Sequence, residues 1–157
     1  MDLQLNGKVA IVTGASRGIG RSIAQVLATE GVRLILVARS KDHLEDVAAS
    51  CPVNTLVQVA DLRDPEAPAA VVAAGVAHFG QIDLLVNNAG ATNRGDFLAL
   101  PDADWNDGFA LKFFGAMRLS RAVWPHLQQS RGAIVNIVGV GGRTGSAEFT
   151  IGGPCST

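Results

Sequence analysis

Short runs of β-branched and aliphatic residues alternate with longer stretches of helical period along almost the whole chain, and this alternation constrains the fold more than any other feature. A strand followed by a crossover helix returns as a parallel neighbour. A sheet built that way is covered on both faces, so its strands read as unbroken apolar runs. Such runs fall at about 8–13 (KVAIVT), 33–38 (RLILVA), 54–60 (NTLVQVA), 82–87 (IDLLVN) and 132–138 (GAIVNIV). Helices are predicted at 18–30, at 41–50 with Ser40 as N-cap, at 65–79 with Asp64 as N-cap and Pro65 in the first helical position, and at 103–128. The expected fold class is α/β, a doubly wound parallel sheet with about five strands, in which right-handed crossovers put alternate helices on opposite faces. One domain is expected over residues 1–150, followed by an irregular tail at 151–157.

With 157 residues, 48% of them apolar, the chain can enclose one core. Its formal charge of -1, from 13 basic and 14 acidic side chains, makes no field that would draw nucleic acid or an anionic membrane. No apolar run approaches the roughly 18 residues of a spanning helix, and the opening MDLQLNGKVA lacks the basic start and apolar run of a signal peptide. Cys51 and Cys155 lie too far apart to make a disulfide framework, so a cytoplasmic setting is expected. His43, His78 and His126 stand singly on predicted helices, which predicts solvated or capping histidines and no metal site. Tyrosine is absent altogether, a fact that bears on proton transfer below.

After the first strand comes TGASRGIGRSIAQVLA, where Gly14, Gly18 and Gly20 punctuate a tight turn that opens a helix. A helix N-terminus presents unpaired N–H groups and the positive end of a dipole, and residues without side chains let phosphates approach the backbone. This is the outline of a dinucleotide site, although the Gly-x-x-x-Gly-x-Gly spacing differs from the commoner Gly-x-Gly-x-x-Gly.

TGASRGIG at 13–20, Asp61 in VADLR and NNAG at 87–90 occur in order, and with them the chain resembles the short-chain dehydrogenases/reductases over essentially its whole length. The resemblance implies a Rossmann-type sheet of seven strands, of which about five are present. It also implies a cofactor site. The glycine turn would contribute Gly14, Ser16, Arg17, Gly18, Ile19 and Gly20, and the end of the second strand Arg39 and Ser40. Asp61 would meet the adenine with Leu62 beside it, and Asn88, Ala89 and Gly90 would come from the fourth strand. An acid at the end of the second strand would repel a 2′-phosphate, whereas here that strand ends LVARS. Arg39 takes the place of the acid and Arg17 can approach the same phosphate, so NADP (NADPH) is the expected cofactor and NAD the less expected one.

The same resemblance implies catalysis by Ser, Tyr and Lys, with an Asn from the helix between the fourth and fifth strands. Tyrosine would exchange the hydroxyl proton, lysine would lower its pKa and bind the nicotinamide ribose, and serine would hold the substrate oxygen. The serine position falls on Gly139, preceded by Val138, and neither has a hydroxyl. Thr144 and Ser146 are the nearest alternatives, in a turn where plain solvation explains them. The Tyr-x-x-x-Lys segment would fall at IGGPCST, which holds neither residue, and Pro154 disfavours a helix there. At about 100° per residue, Trp105, Phe109, Ala116, Leu119 and Val123 share a stripe of the long helix with Lys112 near its centre. Lys112 also falls on the family's asparagine. It either faces the nicotinamide and substrate end with a partner for its charge, or snorkels outward along the helix.

Three readings stay open at this stage. The first is an NADP(H)-dependent oxidoreductase family member that transfers hydride between the cofactor and a small-molecule carbonyl or alcohol. The second is a dinucleotide-binding protein without turnover, and the third is a truncated product without independent function. An uncovered fifth strand calls for a longer gene product, a partner chain or poor folding. Trp105, Trp124, Phe113 and Phe114 on the 103–128 helix suit either the subunit pairing that the resemblance implies, in a homo-oligomer, or simple core packing.

Overall fold

The computed structural model describes residues 3–139, 148 and 150–152. Strand β1 (Val9–Thr13) leads into helix α1 (Gly18–Thr29), β2 (Arg33–Ala38) into α2 (Lys41–Ala49), and β3 (Thr55–Val59) into α3 (Ala67–Phe79). After β4 (Leu84–Asn87) come α4 (Asp102–Phe109), a π-helical segment (Ala110–Gly115) and α5 (Ala116–Ser130), then β5 (Ala133–Asn136). All five strands are parallel in one sheet of order β3-β2-β1-β4-β5. The doubly wound α/β class expected from the alternation of runs is the architecture observed.

Alternating residues of the central strands feed two separate cores, as a sheet covered on both faces requires. Leu34 and Leu36 of β2 pack with Ala24 and Ala28 of α1 and Leu44 and Val47 of α2. Ile35 and Val37, one residue out of phase, pack with Val71 and Val72 of α3 and Leu119, Val123 and Leu127 of α5. The helices therefore share faces in consecutive pairs and do not alternate, which corrects the sequence expectation. β2 and β3 are laid down outward on one side of β1, and the chain then crosses to β4 on the other side. Reversing the direction of travel with a constant crossover hand moves the helices to the opposite face.

Local boundaries shift for identifiable reasons. α3 begins at Ala67 and not at Pro65, because the Asp64 carboxylate accepts the Glu66 N–H at 3.0 Å and its carbonyl accepts the Ala67 N–H at 3.3 Å, closing a turn before the helix. Asp64 is thus a turn residue and not the N-cap, and Pro68 takes a first-turn position where its missing N–H costs nothing. Ser40 does precede α2 in extended conformation, but its hydroxyl makes no capping bond. The predicted 103–128 helix starts at Asp102 and is interrupted by the π segment. Bonding from i to i+5 inserts extra residues into a turn, so a 100° wheel drawn through it slips. Leu119 and Val123 are fully buried as the stripe requires, while Trp105, Phe109 and Ala116 are only half-buried.

Among the described residues β5 pairs with β4 alone, and three of its four residues are exposed. Further along, Ile151 is fully buried, and a Cβ on Gly108 of α4 would come within 2.6 Å of its Cγ2. The remaining tail positions, 153–157, lie outside the described residues.

Candidate functional site

A cleft of about 540 Å³ opens at the carboxyl ends of β1, β2, β3 and β4. β1 lies between β2, reached through α1, and β4, reached only after α3, so the winding direction reverses at its edge. At such a switch point the connecting loops part and leave a crevice. The predicted residues converge there: Gly14, Ser16, Arg17, Gly18 and Ile19 from the first turn, Arg39 and Ser40 from the second strand, Asp61 and Leu62 from the third, Asn88, Ala89 and Gly90 from the fourth. Gly20 lies behind the wall and is buried.

The glycines permit this wall. Gly14 (φ +64°) and Gly18 (φ +55°) occupy left-handed backbone conformations that L side chains adopt only with strain. A Cβ on Gly20 would strike the Gly14 carbonyl oxygen and Asn88 Nδ2, so α1 can approach the fourth-strand turn only with glycine there. Arg17, extended at φ -161°, stands at the mouth of α1, whose first N–H groups open on the cleft.

Beneath the turn, Thr13 at the end of β1 is 1% exposed, and its hydroxyl is saturated. It donates to Val86 O at 3.2 Å and accepts the N–H groups of Asn88 and Ala89, each at 2.9 Å. Asn88 Nδ2 returns to Thr13 O at 3.0 Å. One hydroxyl therefore ties the NNAG segment to the glycine turn. Sequence reading had not singled out Thr13; its signal is a hydroxyl closing an otherwise apolar strand directly before the glycines.

Charge is distributed unevenly. Arg17, Arg39 and Arg63 line the cleft with a single carboxylate, Asp61. Arg63 is tied on both sides: Nε and Nη2 meet the two carboxylate oxygens of Asp107 on α4 at 2.6 and 3.1 Å, and Nη1 meets Asp61 Oδ1 at 3.3 Å. The Arg63 N–H also donates to Asp61 Oδ1, at 3.0 Å. Burial opposes ionisation of Asp61, but the Arg63 N–H, the Arg63 guanidinium and the charge of Arg39 outweigh it and hold the carboxyl below its usual range. The Asp107 hydrogen bonds, working against desolvation, raise Arg63 above the ordinary guanidinium value. Among the described residues, the side chains of Arg17 and Arg39 make no hydrogen bond or ion pair with the protein. His43, Ala91 and Leu111 also line the cleft, and none of them, nor Arg63, is among the residues expected there from the sequence.

Lys112 lies in the π segment, half-buried, with its methylene stem over Gly90: a Cβ there would sit 2.9 Å from Lys112 Cγ and 3.1 Å from Cε. The stem thus runs along the cleft wall, beside the lining residue Leu111. Gly139 and Val138 follow β5 and are exposed. Thr144 and Ser146 lie outside the described residues, as does most of IGGPCST. His78 is exposed, with Nε2 3.5 Å from Asn54 Oδ1 and its ring edge-on to Phe79. Burial pushes the Cys51 thiol up, against a hydrogen bond with Ser50. No helix among the described residues is long and apolar enough to cross a membrane.

The model of the family described as short chain dehydrogenase matches residues 8–151. The chain belongs to the short-chain dehydrogenase family. Its relatives within that family include the 3-oxoacyl-(acyl-carrier-protein) reductase FabG of Escherichia coli, 36% identical over 151 residues, which are 94% of this chain and 62% of the reductase. The 11-beta-hydroxysteroid dehydrogenase 1A of Arabidopsis thaliana is 38% identical over 136 residues, 83% of this chain and 39% of that protein. Among solved structures, L-sorbose reductase from Gluconobacter frateurii complexed with NADPH and L-sorbose superposes with a TM-score of 0.95 at 34% identity, covering 99% of this chain and 61% of that one. NAD+-bound xylitol dehydrogenase superposes with a TM-score of 0.93 at 32% identity, covering 98% and 61%. This short-chain dehydrogenase chain thus spans about 62% of the length of the curated reductase it matches.

Proposed function

We propose that this domain binds NADP(H) and serves, in a cytoplasmic setting, a short-chain oxidoreductase acting on a small-molecule carbonyl or alcohol. The observation that carries the reading is the placement of Arg17 and Arg39 on one cleft, both without a protein partner among the described residues, beside bare N–H groups at the mouth of α1. The cleft fits such a cofactor: Gly14 and Gly18 leave room for a pyrophosphate against the backbone, and no second-strand acid opposes a 2′-phosphate. The bound cofactor would supply the hydride. Gly14, Ser16, Gly18 and Ile19 would hold the pyrophosphate with Gly20 allowing the close approach, Arg17, Arg39 and Ser40 the 2′-phosphate, Asp61 and Leu62 the adenine, and Asn88, Ala89 and Gly90 the nicotinamide side. Lys112 would present its ammonium towards the nicotinamide end.

Titration by nicotinamide fluorescence tests this. NADPH is expected to bind roughly 10- to 100-fold more tightly than NADH, the worth of one or two charge-assisted hydrogen bonds. Arg39→Asp should invert the order. Equal affinity for the two cofactors, or no binding of either, refutes the reading. Lys112→Met with unchanged stability and unchanged NADPH affinity would remove Lys112 from the site.

A second reading, a dinucleotide-binding protein without turnover, is favoured by one observation: the residues after β5, Val138 and Gly139, carry no hydroxyl where the family's serine falls. NADPH binding without absorbance change on any ketone or alcohol would decide for it. A homo-oligomer through the 103–128 helix is also proposed, because Phe113, Phe114 and Trp124 are 51, 41 and 55% exposed. A monomeric mass in light scattering would exclude it.

A further inference from the structure

The β3–α3 turn at Asp61–Arg63 is gripped by the long helical run at two points. Arg63 makes its two-pronged pair with Asp107 of α4, and a Cβ on Gly115, at the end of the π segment, would sit 2.9 Å from Leu62 O. Three guanidinium groups thus share the cleft with one carboxylate, but that carboxylate is bonded to one of them only. Arg63 is the least exposed partner in its pairs, at 23%, against 42% for Asp61 and 48% for Asp107. A guanidinium fixed by a two-pronged pair loses little freedom on taking a further bond, so Arg63 is a prepared partner for Asp61. Without it, a second cation on the same cleft wall remains for Asp61: Arg39 already acts on this carboxyl through its charge.

We propose that Arg63 is a specificity-determining positioning residue, which occupies Asp61 and thereby leaves the Arg39 guanidinium available for the 2′-phosphate. This inference rests on the NADP(H) reading above. Arg63 makes no contact with the phosphate in this scheme; it acts through Asp61. Its removal would let Asp61 pair with Arg39, place a carboxylate beside the 2′-phosphate pocket and lower the preference for NADPH.

The test is the ratio of NADH to NADPH dissociation constants in the full chain, by nicotinamide fluorescence, for the parent, Arg63→Met, Asp61→Asn and the double variant. Arg63→Met is expected to lower the ratio by roughly fivefold, the effect of an ion pair at a half-exposed position. Adding Asp61→Asn should restore it, since no carboxylate then remains to capture Arg39, although both affinities fall. Loss of a merely structural brace would weaken both cofactors together and would not be rescued by a second substitution. Should Arg63→Met fail to fold by circular dichroism, Arg63→Gln keeps a neutral polar side chain at the same turn and should lower the ratio in the same direction. An unchanged ratio in the foldable variant overturns the proposal. So does a lowered ratio that Asp61→Asn does not restore, which would mean direct contact of Arg63 with the phosphate. A parent protein without NADPH preference defeats the cofactor reading itself, and this inference with it.

Discussion

Replacing Thr13 with valine isolates the hydroxyl that joins the two halves of the cleft, because valine keeps the shape and loses only the hydrogen bonds. Three are lost: those from the Asn88 and Ala89 N–H groups at 2.9 Å and that to Val86 O at 3.2 Å. The side chain is 1% exposed, so no water replaces the hydroxyl from within the sheet. Each orphaned N–H costs about 1–3 kcal/mol, and the methyl that replaces the hydroxyl returns about 0.8 kcal/mol. The two N–H groups stand at the rim of an open cleft, where partial hydration trims the upper end. The net loss is about 2–4 kcal/mol. Thr13→Ser is the control: it keeps all three bonds and removes one buried methyl, for about 1 kcal/mol. With a urea m-value of about 2 kcal/mol per molar, the unfolding midpoint should fall by about 1–2 M for valine and about 0.5 M for serine. Far-UV circular dichroism reads both. A valine variant as stable as the parent, or less affected than the serine variant, would refute the assignment of the hydroxyl as the tie.

Gly20→Ala should cost about 1–3 kcal/mol in the same unfolding assay, because both atoms nearest the added methyl on the Gly14 side are backbone and cannot swing away; full stability would contradict the close approach of α1 to the turn. Leu119→Ala, at a position with no accessible surface, should lose about 2–5 kcal/mol, whereas Trp124→Ala, 55% exposed, should change stability by roughly 0.5 kcal/mol or less. Reversed magnitudes would show the register beyond the π segment to be wrong. The depressed pKa of Asp61 fixes a sign for acid stability: its folded value lies below its unfolded one, so the stabilisation is present above the ordinary carboxylate range and is lost as pH falls through the folded value. Arg63→Met should therefore melt lower than the parent near neutrality, with the difference closing in acid below about pH 4; a difference independent of pH would separate Arg63 from the ionisation of Asp61.

The strands were legible because each is a local signal. Fully apolar runs such as Val9–Val12 and Leu34–Val37 say by composition alone that both faces are covered, and the glycine turn says by its lack of side chains where a backbone must come close. The residues expected from that turn and from the strand ends meet in one cleft for the same reason: each lies at the carboxyl end of a parallel strand, so the topology gathers them. Helix boundaries were less legible. The Asp64 turn competes locally with a capping role, and the π segment leaves no periodicity by which to find it.

What the amino-acid sequence by itself determined is the set of elements, their parallel winding and the phosphate-ready turn, all of which follow from steric and hydrophobic properties of neighbouring residues. Only the tertiary structure decided which distant side chains meet. Thr13 lies 75 positions before Asn88, and Arg63 lies 44 positions before Asp107. Neither pairing leaves a trace in local pattern, because a hydrogen bond across the sheet depends on which strands become neighbours and in which register, and those are settled by burying the whole apolar surface at once.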